Sequence, residues 1–296
     1  MPISSRQPTN KPAAGENRNS VSGSSKCVRV AAVQMNSGDV LNENLELAGR
    51  LLARAAADDC VLAALPENFP FMGTHAEDRL QLAEEVGDGP IQEFLSIAAR
   101  DYGLWIVSGS IPLKSPDAER YYGATLVIDS QGRTRNTYQK IHMFDVCVPD
   151  RDEQYRESAS MLPGDELVVS ETPAGCLGLS ICYDLRFPEL YRKLVDMGAV
   201  LLSVPAAFTF ATGTAHWHTL LKARAIENLA YVIAPAQYGQ HPDGRSTYGH
   251  SLIIDPWGRI LAEAPQGDCV ISAVADPVLP QKLRREFPAL NHRVFK

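Results

Sequence analysis

Three side chains of types that can work together on a carbonyl stand at the ends of expected strands. In "LSICYDLRFPEL", residues 179–190, the run stops at Cys182, and Arg186 follows four residues later. Glu67 closes "CVLAALPE" and Lys140 closes "RNTYQK". A free thiol has a pKa near 8.5, so little of it is thiolate at neutral pH. A carboxylate within reach takes its proton as general base. An ammonium stabilises the oxyanion that forms when the sulfur attacks a carbonyl. The backbone N–H of Tyr183, directly after the thiol, is a second oxyanion donor by analogy with the nucleophile elbow.

Taken singly, each group has a plainer reading. A lone cysteine packs as a small hydrophobe, Lys140 is a strand-end lysine facing water, and Glu67 is a loop carboxylate before the turn at 68–70. Taken together at strand ends, where sheets covered by helices gather their active sites, they describe acyl transfer. A Cys–His arrangement stays open beside it, with His142, His216 or His250 as the base. His216 and His218 suggest a metal pair, but residues two apart on a helix do not face each other. The chain holds no G-x-S-x-G, G-x-x-x-x-G-K-[ST] or G-x-G-x-x-G.

The elements that must position these groups alternate. Strands are expected at 28–35, 60–67, 104–113, 177–184, 199–208, 230–238, 251–261 and 269–276, and a hairpin over 124–140 turning at Gln131–Gly132. Helical spacing runs through Leu45, Ala48, Leu52 and Ala55 in 44–59, and helices are expected at 91–103, from Pro188, and at 214–229. Continuous apolar strands imply sheets covered on both faces, and the hairpin makes the sheet mixed. Residues 27–296 therefore read as one α/β domain. Residues 1–26, rich in Ser, Asn, Pro and Gly, read as a disordered tail that lacks the apolar core of a signal peptide. Its few acids leave a transit peptide open.

Composition limits the function classes. A net charge of -7 without basic runs argues against nucleic-acid or membrane-surface binding. No apolar run approaches the roughly 20 residues that span a bilayer. The scattered cysteines form no C-x-x-C pair, which points to a reducing compartment such as the cytoplasm rather than to disulfides or zinc.

The ordered motifs "LPENF", "YQKIHMFDV" and "ICYDLRFPEL" resemble the nitrilase, or carbon–nitrogen hydrolase, superfamily over essentially all of 28–296. The resemblance implies a Glu67–Lys140–Cys182 triad, a four-layer α-β-β-α sandwich with two mixed sheets, and a homodimer. It also implies a second active-site glutamate, Glu157 in "YRESASMLPGDE", and no metal or organic cofactor. "PAAFTFATGTAHWH" and "STYGHSLIIDPWG" resemble the Nit branch. That likeness implies hydrolysis of the γ-amide of deaminated glutathione to 2-oxoglutarate and cysteinylglycine. Alternatives are ω-amidase action on 2-oxoglutaramate, another amidase or carbamoylase activity, and a scaffold without turnover, against which the intact triad argues. Both named substrates carry a 2-oxo carboxylate. Arg186 is the candidate to pair with it bidentately, and the backbone N–H groups around Thr214, at the expected helix start, are a second anion site. The apolar residues all round 214–229 suit a helix covered by a partner subunit.

Overall fold

The computed structural model describes residues 27–75, 78–148 and 154–295, so the expected tail at 1–26 lies outside the described residues. The first sheet runs in the order Cys269–Ala275, Val28–Gln34, Cys60–Ala64, Trp105–Val107, Tyr121–Ile128 and Ile111–Lys114, with Thr134–Gln139 also paired to Tyr121–Ile128. The second runs Ile260–Glu263, Leu252–Ile254, Tyr231–Ala234, Leu201–Ser203, Gly175–Leu179 and Val169–Thr172. In each sheet a parallel centre is flanked by antiparallel strands.

Period-two alternation builds the layers. Along Val28–Gln34, Val30 and Ala32 join the core between the sheets, whereas Ala31 and Val33 face outward. There they meet Ala48 and Leu52 of the helix Leu41–Ala57 and Leu95 of the helix Pro90–Tyr102. The helices Pro188–Asp196 and Phe210–Asn228 cover the second sheet through residues such as Leu194, Trp217 and Leu221. The result is the four-layer α-β-β-α sandwich expected from the sequence.

Several boundaries differ from expectation, each for a local reason. The first helix starts at Leu41, because Asn44 turns inward and bonds the carbonyls of Gly38 and Pro70. Expected strand 104–113 is broken at 108–110 by one extra residue. Ile106 and Val107 pair with Ile128 and Val127, but Ile111 pairs with Ala124, one step out of register. Gly109 sits at this bulge with φ 67°, and a Cβ there would lie 2.1 Å from the Pro66 carbonyl oxygen. Only glycine fits that approach. Expected strand 251–261 is a hairpin, Leu252–Ile254 and Ile260–Glu263, whose turn is held by Asp255 accepting from the N–H groups of Trp257 and Arg259. The helix expected at 214–229 begins at Phe210, with Thr209 as its cap.

Candidate active site

Glu67, Lys140 and Cys182 come from three separate segments, each just beyond a strand. Lys140 follows Gln139 directly; Glu67 lies three residues past Ala64, and Cys182 three past Leu179 in the 3-10 turn Cys182–Arg186. The strands before Glu67 and Cys182 end earlier than their apolar runs, so these two groups ride on short turns, whereas Lys140 N–H still bonds the Gly123 carbonyl at 2.9 Å and continues the ladder.

Each turn is fixed by buried polar contacts. The Glu67 segment is held by Gln237 Nε2 donating to the Glu67 carbonyl at 3.1 Å and by Ser110 Oγ accepting from Asn68 N–H at 2.9 Å. Leu65 and Pro66 rest on Gly109. The Cys182 turn has φ 46° at the nucleophile, a left-handed conformation that a non-glycine residue adopts at a cost of about 1–3 kcal/mol. It is locked by Cys182 N–H donating to the Pro205 carbonyl at 2.8 Å and by Asp184. The fully buried Asp184 carboxylate accepts from Ile181 N–H at 2.8 Å, from Tyr138 Oη at 2.7 Å and from His142 N–H at 3.1 Å, and it lies 2.7 Å from His142 Nδ1. Tyr138 and Lys140 are two apart and share a strand face, so one strand serves both Asp184 and the reacting cluster.

Lys140 is the hub. Its side chain is 1% exposed, and Nζ donates to Glu67 Oε1 at 2.9 Å and to Glu157 Oε1 at 2.7 Å. The second oxygens are also engaged: Glu67 Oε2 accepts from Ala207 N–H and Glu157 Oε2 from Phe144 N–H, both at 2.8 Å. An ammonium has three donors, so one remains for a ligand. Burial works to lower the Lys140 pKa, but the negative charges of Glu157 and Glu67 outweigh it and hold the group protonated. Cys182 is the reverse. Burial first, and the neighbouring Glu67 carboxylate second, push its thiol well above the usual range against the pull of Lys140. The resting sulfur is a thiol that needs a base, and Glu67 is beside it.

These groups line a pocket, partly open to solvent, that is also lined by Tyr183, Arg186, Phe208 and Arg79. Arg186 is half-buried, 5.4 Å over the Phe208 ring and 3.3 Å from His216 Nδ1, with no carboxylate partner among the described residues. Thr214 does not reach the pocket. It lies inside the helix, exposed, with Oγ1 donating to the Phe210 carbonyl at 2.8 Å. Thr209 and Thr212 line the pocket in its place. No described histidine lines it either. His142 is held on Asp184 and stacks on Phe187 at 3.6 Å, and His250 and His218 both bind Glu263. Sequence reasoning missed Asp184 and Arg79. The first meets Tyr138 and His142, which are distant in the chain, and the second belongs to no motif.

Residues 29–285 match the family model described as carbon–nitrogen hydrolase. Among curated proteins, deaminated glutathione amidase of Synechocystis is 44% identical over 268 residues, 90% of this chain and 97% of that protein. Among solved structures, the Caenorhabditis elegans NitFhit protein superposes with a TM-score of 0.85 at 40% identity, covering 90% of this chain and 65% of that one. Saccharomyces cerevisiae Nit3, described as a member of branch 10 of the nitrilase superfamily, gives 0.80 at 30% identity over 91% of this chain and 97% of that one.

Proposed function

The chain belongs to the carbon–nitrogen hydrolase family, an amidase acting on carbon–nitrogen bonds other than peptide bonds, and on that premise we propose that it hydrolyses the γ-amide of deaminated glutathione through a thioester on Cys182. The observation that carries the catalytic part is the buried cluster in which Glu67 and Glu157 share the Lys140 ammonium beside a raised thiol.

In this reading Glu67 takes the Cys182 proton as the sulfur attacks the γ-carbonyl carbon. The free donor of Lys140 and the Tyr183 N–H receive the oxyanion. The carbon–nitrogen bond breaks as Glu67 returns the proton to the departing amine of cysteinylglycine. Glu67 then deprotonates a water that attacks the thioester; the carbon–sulfur bond breaks, the proton returns to Cys182, and 2-oxoglutarate leaves. Glu157 touches Lys140, not the scissile bond, and keeps the ammonium charged and aimed. Arg186, free of any described carboxylate, receives a substrate carboxylate. Unchanged KM in Arg186→Ala would remove that role.

The protein acts as a homodimer on a small molecule, with no nucleic-acid partner. Phe210 and Ile226 on the helix Phe210–Asn228 are 52% and 51% exposed, as is Trp257 at 52%, and a second copy would cover them. A concentration-independent monomer in sedimentation would refute the dimer. The six free cysteines support a cytoplasmic location, which cell fractionation tests. No described helix is long and apolar enough to cross a membrane.

The deciding experiment is mass spectrometry of products from deaminated glutathione and, separately, 2-oxoglutaramate, with Cys182→Ala as control. Preference for the first, lost in the variant, is the expected result. Preference for 2-oxoglutaramate moves the protein to ω-amidase action, and turnover that survives in Cys182→Ala overturns the thioester.

A further inference from the structure

Two arginines are buried to nearly the same degree and live in opposite states. Arg224 is 5% exposed and Arg79 6%. Arg224 is fully employed: Nε donates to the Leu185 carbonyl at 3.0 Å, Nη1 to Glu227 Oε1 at 2.6 Å, and the guanidinium lies 5.4 Å over the Tyr191 ring. The Arg79 side chain makes no ion pair or hydrogen bond with any described residue, and its Nε is enclosed without a partner. A guanidinium cannot discard its charge. An uncompensated buried charge is among the most costly features a fold can carry.

The position of Arg79 gives that cost a use. It lines the same pocket as Cys182, Glu67 and Lys140. Burial raises the pKa of the Tyr121 phenol, and among the charges acting on that ring Arg79 comes first, ahead of Glu157, Lys140 and Glu67. The guanidinium, without a described partner, thus stands in the same buried neighbourhood as the reacting groups.

We infer that Arg79 is the acyl-side carboxylate site, the group that receives the carboxylate of a 2-oxo acid whose amide carbon lies at Cys182. This rests on the amidase reading above and deepens it. The acyl half of the substrate stays bound as the thioester after the amine has gone, so its anchor belongs at the buried end. A planar guanidinium whose donors have no partner among the described residues matches a carboxylate bidentately. Arg186, half-exposed, is then left for the carboxylate of the departing amine, instead of the acyl end to which the sequence assigned it.

The test compares deaminated glutathione with its levulinoyl analogue, in which a methyl group replaces the 2-oxo carboxylate while ketone and amide are kept. Arg79→Met is expected to lower kcat/KM for deaminated glutathione by about 100-fold or more and to leave turnover of the analogue unchanged. Arg79→Lys should fall between. Because Met removes an unpaired buried charge, the variant should melt at or above the wild-type temperature. Equal losses on both substrates would make Arg79 a structural residue and overturn the proposal. Calorimetry of 2-oxoglutarate on Cys182→Ala, with and without Arg79→Met, separates the two readings. Arg79-dependent binding without any turnover of deaminated glutathione fells the substrate reading alone. Binding indifferent to Arg79→Met fells this proposal alone.

Discussion

The molecule contains two three-membered charge clusters that are inversions of each other. In the pocket, one cation, Lys140, is shared by two carboxylates, Glu67 and Glu157, with the ammonium 1% exposed. At the surface, one carboxylate, Glu263, is shared by two imidazoles, His218 at 3.0 Å and His250 at 2.8 Å, and its side chain is 36% exposed. The distances are nearly the same, so geometry does not separate the clusters. Solvent does. Around Lys140 the charges are stripped of water, their fields are large, and the second oxygen of each carboxylate takes a backbone donor. Around Glu263 water and salt screen the pairs, and such contacts contribute about 0–1 kcal/mol each. The first arrangement is costly to assemble and makes sense as preorganised electrostatics for a reaction; the second is a modest clasp between a helix and a hairpin.

The sharpest way to break the comparison is Lys140→Met. Removing the hub leaves Glu67 and Glu157 buried against each other. The expected loss of stability is about 3–5 kcal/mol. One carboxyl relieves the repulsion by taking up a proton, so urea denaturation should show a larger loss at pH 8 than at pH 5. The rate should fall by about 100-fold or more. A pH-independent loss below about 1 kcal/mol, the size of a surface pair, would mean that the buried cluster is no different from the exposed one.

Gly109→Ala tests whether backbone placement, rather than charge alone, sets the buried cluster. The new methyl carbon would meet the Pro66 oxygen at 2.1 Å, one residue before Glu67, and the φ of 67° disfavours alanine. The Glu67 segment must move. A displacement of about 1 Å can cost about 100-fold in rate, and kcat should fall more than KM changes. Retention of wild-type kcat would show that the Glu67 turn is held by its polar contacts alone.

These clusters also mark what a sequence can carry. Glu67, Lys140 and Cys182 stood out because their types and places at strand ends report one chemistry, Glu157 stood out only through the family resemblance, and period-two and helical spacing located the layers. The pairing of Asp184 with Tyr138 and His142 was not legible, since it joins residues more than 40 positions apart. Thr214 was misplaced for a local reason. "FTFATGTAHW" holds three threonines able to cap a helix, and tertiary pairing of Thr209 with Thr247 selects the first. Arg79 had no signal at all, because a charged residue in a polar segment reads as solvated until the fold encloses it.

The smallest expected effect belongs to Glu263→Gln. Burial works to raise the Glu263 carboxyl, but the hydrogen bonds of His250 and His218 outweigh it and hold the pKa below the ordinary 4.5. A lowered carboxyl pKa stabilises the folded state above the unfolded value, and that contribution disappears as pH falls through the folded one. Wild type should therefore exceed Glu263→Gln in melting temperature at neutral pH, and the gap should close below about pH 4.5. Its size at neutral pH should stay within about 1 kcal/mol, and added salt should shrink it. Turnover should not change, because neither histidine lines the pocket of Cys182. A large drop in kcat would tie the exposed clasp to the reaction through Phe208, whose ring packs on Trp217 at 4.9 Å, next to His218 in the chain. The two clusters would then be one coupled unit rather than a reactive centre and a surface fastening.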